Sequence, residues 1–67
     1  MNIIQVFNDY ISEHGIKQGY IAQKTGIPQN IVSRILSGKR RITADEFIKI
    51  CGVLNIDPNL FRKQEAS

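Results

Sequence analysis

Glycines at 15, 26 and 38 and prolines at 28 and 58 cut the chain into short runs, and within each run the apolar residues recur three and four apart. That spacing is helical. Ile3, Phe7, Tyr10 and Ile11, with Val6 beside them, predict an amphipathic helix over about 2–14, capped by Asn2 and stopped by Gly15. A second helix is expected over about 17–25, with Ile21 and Ala22 inward and Gly26 as its stop. Pro28 marks the first turn of a third, which turns Val32 and Ile35 inward and ends at Gly38. Thr43, three residues before Glu46, forms a capping box that opens a fourth helix, with Phe47, Ile50, Cys51 and Leu54 on its apolar stripe and Asn55 at its end. Asp57-Pro58 opens a short fifth helix containing Leu60 and Phe61. The expected fold is all-α: one compact domain of five short helices over residues 1–63, with a frayed tail at 64–67.

At 67 residues the chain has room for one small core and no ordinary enzyme cleft. Its single cysteine, Cys51, cannot form an intrachain disulfide and reads as a core residue of the fourth helix. No Cys/His cluster has metal-binding spacing, so no metal and no cofactor is expected. With one histidine, His14, placed at a helix end where a cation suits the helix dipole, no nucleophile–base pair can be assembled and no catalytic residue is assigned. The apolar runs are far shorter than the roughly 20 residues of a membrane span. Residues 1–9 carry no Lys or Arg, so neither a membrane partner nor a secretory signal is expected, and a cytoplasmic location is.

The charge is unevenly placed. Between Glu13 and Asp45 there is no acid, only the six cations Lys17, Lys24, Arg34, Lys39, Arg40 and Arg41, whereas the flanks hold six acids against three bases. A cationic middle suits a polyanion, because neutralising phosphates releases their counterions.

Two helices joined at Gly26-Ile27 make a helix-turn-helix unit over about 17–37, a form that lays its second helix in a DNA groove. The run from Gln18 to Ile35, continued by Ser37-Gly38-Lys39-Arg40-Arg41 and then by Phe47, Ile50, Cys51, Leu54 and Ile56, resembles the phage-repressor and Cro-type helix-turn-helix family. The resemblance covers about residues 3–61. It departs from the common pattern at Pro28, at Ile42, and at Ile31 and Leu36, which are apolar where the family's third helix is often polar. The resemblance implies five helices, sequence-specific binding of double-stranded DNA as a two-fold homodimer, and a role as a repressor or Cro-like switch in transcription.

With Val32 and Ile35 inward, steps of about 100° place Asn30, Ser33, Arg34 and Ser37 on the outward arc of the third helix, with Gln29 at its edge. Gln and Asn can pair bidentately with adenine and Arg with guanine. Gln29, Asn30, Ser33 and Arg34 are therefore the candidate base readers, and the resemblance implies the same four positions. Gln18, at the start of the second helix, is a phosphate candidate, as the matching glutamine is in the family. Lys17, Ser37, Lys39, Arg40 and Arg41 complete the phosphate set. Leu60, Phe61 and Leu36 are candidates for a dimer patch; the competing expectation for them is closure of the monomer's own core, to which Phe61 leans. A competing expectation is an antitoxin-like or phage adaptor protein that uses this fold for protein binding, with Ile31 and Leu36 in its interface. Single-stranded RNA ranks last, since Phe7, Phe47 and Phe61 all lie outside the basic segment.

Overall fold

Local signals set most of the element limits in the computed structural model, which describes residues 2–61. The Asn2 side-chain oxygen accepts from the Ile4 and Gln5 amides at 2.9 and 3.4 Å and starts α1 (Ile3–His14). After Gly15 the chain turns into α2 (Gln18–Thr25), and after Gly26 into α3 (Gln29–Leu36). The Thr43 hydroxyl accepts from the Glu46 amide at 3.2 Å while the Glu46 carboxylate accepts from the Thr43 amide at 3.0 Å; this closed capping box begins α4 (Ala44–Leu54). Asn55 ends α4 in the left-handed conformation, at φ 61°.

Three expectations are corrected. Among the described residues there are four α-helices, and the fifth element is a single 3-10 turn over Pro58–Phe61. There the Asn59 amide bonds to the Asp57 side chain and the Leu60 amide to the Asp57 carbonyl, three residues back, so the segment closes tighter than an α-helix. Pro28 is not in the first turn of α3 but precedes it: its ψ of 141° is extended, while its carbonyl accepts from Ile31 and Val32. Lys17 likewise stands just ahead of α2, so each helix of the pair has eight residues. The domain limit at 63 and the tail at 64–67 lie outside the described residues.

The core draws on every element: Phe7, Ile21, Ile27, Val32, Ile35, Leu36, Ile50, Cys51, Leu54 and Phe61 are buried. Its aromatic end joins α1, α4 and the 3-10 turn. Phe7 stacks on Phe47 at 5.9 Å and meets Phe61 edge-on at 6.0 Å, and Phe47 meets Phe61 edge-on at 5.4 Å. Such pairs contribute about 0.5–1.5 kcal/mol each beyond the area they bury. Together they fix α1 and α4 as a frame against which α2 and α3 pack.

Candidate nucleic-acid interface

The joint between α2 and α3 is tied from within. The Thr25 hydroxyl donates to the Ile21 carbonyl at 2.7 Å and accepts from the Ile27 amide at 3.2 Å, spanning the turn. Gly26 takes φ 78°, a region where a β-carbon crowds the backbone, and Ile27 drops into the core. At the far end of α3, Asn8 of α1 donates its side-chain N–H to the Leu36 carbonyl at 2.7 Å. Both ends of α3 are thereby held. Neither Thr25 nor Asn8 stood out in the sequence: Asn8 sits on the polar side of α1, and only contact across 28 residues gives it this role.

α3 turns its apolar side inward, with Val32 and Ile35 fully buried, Leu36 buried and Ile31 half-buried against the core. Gln29, Asn30, Ser33 and Arg34 are all exposed. Arg34 makes no ion pair among the described residues, so its guanidinium remains available to a partner. The Gln29 carboxamide lies over Gly19 of α2, its Oε1 3.6 Å from where a β-carbon on that glycine would stand. Among the described residues no N-cap side chain bonds to α2 or α3; the Tyr20 and Ile31 amides reach the Lys17 and Pro28 carbonyls, and the first two amides of each helix are left open.

Around this face the cations differ. Lys17, Lys39 and Arg41 are exposed and Gln18 is half-buried at the start of α2. Ser37 is exposed and donates its hydroxyl to the Arg34 carbonyl at 3.1 Å. Lys24 lies over the Tyr20 ring, 5.7 Å from its centroid. Among the described residues Arg40 alone of the basic run is engaged: its Nη1 is 2.8 Å from Glu46 Oε1. Hydrogen bonds from Arg40 and then from the Thr43 amide hold the Glu46 carboxyl down at about 2, from an ordinary 4.5.

Two of the three dimer candidates take the competing place, in the core. Leu36 and Phe61 close the core of the monomer, because α3 turns Leu36 toward α1 and the 3-10 turn folds Phe61 onto Phe7 and Phe47. Leu60 remains on the surface at 58% exposure. Cys51 is buried in α4, and burial followed by the charge of Asp57 pushes its thiol upward. Among the described residues no group of three or more His, Cys, Asp or Glu could hold a metal ion, and no helix is long and apolar enough to cross a membrane.

Two short helices meeting at a stiff turn, the second with a polar outward face, make a helix-turn-helix. A helix-turn-helix family model matches residues 10–61, most of the chain and all of this unit. The protein belongs to the Cro/C1-type helix-turn-helix family. No curated protein and no solved structure matched the chain. Within this helix-turn-helix protein the family match spans α2, α3, the basic loop and α4 together, so the residues of the polar face and the loop all fall inside it. The family is one of DNA-binding regulators, and that is the activity it brings to the chain.

Proposed function

We propose that this protein is a transcriptional repressor or Cro-like switch that binds a palindromic operator in double-stranded DNA as a homodimer. The observation that carries the reading is the outward face of α3, where Gln29, Asn30, Ser33 and Arg34 stand exposed beside Lys39 and Arg41. These side chains match base edges in the major groove, while Lys17, Gln18 and the loop cations suit the flanking phosphates. A single domain covers too few base pairs for tight binding. Two copies related by a two-fold axis would set their third helices about 34 Å apart in successive major grooves, with the exposed Leu60 as the candidate for the contact between them. The protein-binding alternative loses support, since Leu36 is in the core and Ile31 is half-buried against it.

Selection of binding sites from a random duplex pool at two salt concentrations tests this reading. Enrichment of an inverted repeat supports it, and salt-labile binding with nothing enriched would overturn it. On the selected site, Arg34→Ala should cost about 1–3 kcal/mol and relax preference at one base position, whereas Lys39→Ala should weaken all sequences alike.

A further inference from the structure

Lys39, Arg40 and Arg41 are equivalent in the sequence but not in the fold, and the difference bears on the DNA reading, on which this inference rests. The loop between α3 and α4 is tied at both ends. At its start the Lys39 and Arg40 amides both donate to the Arg34 carbonyl, at 2.9 and 3.3 Å, so the loop hangs from the last turn of α3. At its end, Thr43 is locked into the capping box of α4. Glu46 Oε1 accepts from the Thr43 amide and from Arg40 Nη1 at once, and Arg40 Nη1 also lies 3.4 Å from the Arg41 carbonyl. The Arg40 and Glu46 side chains are 34% and 14% exposed, whereas Lys39 and Arg41 are exposed.

We propose that Arg40 is a positioning residue for DNA binding: clamped to Glu46, it shapes the 37–43 loop so that Lys39 and Arg41 meet phosphates, and it neutralises no phosphate itself. To reach a phosphate, its guanidinium would have to give up a charge-assisted hydrogen bond, among the stronger kinds a side chain makes. It would also strip Glu46 of its counter-charge close to a polyanion. The intact pair is neutral and releases no counterion.

The test is the affinity of the full chain for a random-sequence duplex across a range of salt, for K39Q, R41Q and the charge-conserving double variant R40Q/E46Q. Glutamine at 46 keeps the capping box, and urea unfolding checks that every variant is folded where binding is measured. K39Q and R41Q should each flatten the slope of log K against log salt by about 0.9. The double variant should keep the parent slope while losing affinity about three- to tenfold at every salt, the size of one ordinary hydrogen bond's contribution. A purely structural pair would shift the unfolding midpoint and leave the affinity of the folded protein unchanged, and that result overturns the proposal. So does a slope flattened in the double variant as in K39Q, with the DNA reading left standing. If K39Q and R41Q leave the slope untouched, the DNA reading falls and takes the proposal with it.

Discussion

The four α-helices divide into two pairs by how their N-termini are finished. α1 and α4 carry side-chain caps, from Asn2 and from the Thr43–Glu46 box, and α4 adds an ion pair between Asp45 and Lys49 at 3.1 Å. α2 and α3 begin after Lys17 and Pro28, whose side chains cap nothing, and of the four helices only α4 has acids in its first turn. Unfinished amide ends and unpaired cations favour an anion. α1 and α4 finish their helix starts internally, and α2 and α3 leave theirs open. Departures from ordinary helix chemistry therefore fall in the half of the molecule that the proposed function uses.

The largest test of this division removes the frame. Phe7 is fully buried between Phe47 and Phe61, so Phe7→Ala should destabilise the fold by about 3–5 kcal/mol, read from urea unfolding. A loss below about 1 kcal/mol would mean that α1 is not part of what holds the reading pair in place.

Next come the caps themselves. Thr43→Ala should lower stability by about 1 kcal/mol, whereas Lys17→Ser, which supplies α2 with the cap it lacks, should raise it by about 0.5–1 kcal/mol. The second exchange should weaken DNA binding at the same time, since it removes a cation and occupies amides that the proposed reading assigns to phosphates. Stability and affinity moving in the same direction for Lys17→Ser would break the contrast between the pairs.

The frame also predicts a pH dependence. The Arg40 guanidinium first and the Thr43 amide second hold Glu46 at about 2 in the folded protein. A carboxyl depressed by folding adds stability above its ordinary 4.5, and that contribution is lost as pH falls from there toward 2. E46Q should therefore unfold at lower urea than the parent at pH 7, with the gap closing on the way down to pH 2. A gap independent of pH would place the stabilisation elsewhere.

Much of the frame was legible in the sequence because its signals are local. Asn2, Thr43–Glu46 and Asn55 each announce a helix end within three or four residues, and the apolar stripes name Phe7, Ile50, Cys51 and Leu54 as core. The outward residues of α3 followed from the same periodicity. What escaped depends on contacts between distant parts. The tie from Asn8 to Leu36 needs the tertiary fold, as does the choice between core and dimer patch for Leu36 and Phe61, and only the path of the loop distinguishes Arg40 from its neighbours. Pro28 misled by one residue because proline suits both the position before a helix and the first one inside it.

The smallest effect contrasts two glycines, one in each half. Gly52 lies exposed in the interior of α4, with nothing within 4 Å of where a β-carbon would stand and no positive φ, so no packing or backbone demand requires glycine there. Alanine restricts the unfolded chain and favours the helix, and Gly52→Ala should stabilise the protein by about 0.5–1 kcal/mol with DNA affinity unchanged. Gly26 has the same open surroundings but holds φ 78° at the turn between α2 and α3, so Gly26→Ala should shift stability the opposite way. Because neither glycine's β-carbon would touch a neighbour, the difference in sign isolates backbone conformation as the cause. Thermal unfolding of the two variants side by side decides it: two shifts of the same sign would show that the turn does not hold its left-handed residue in solution.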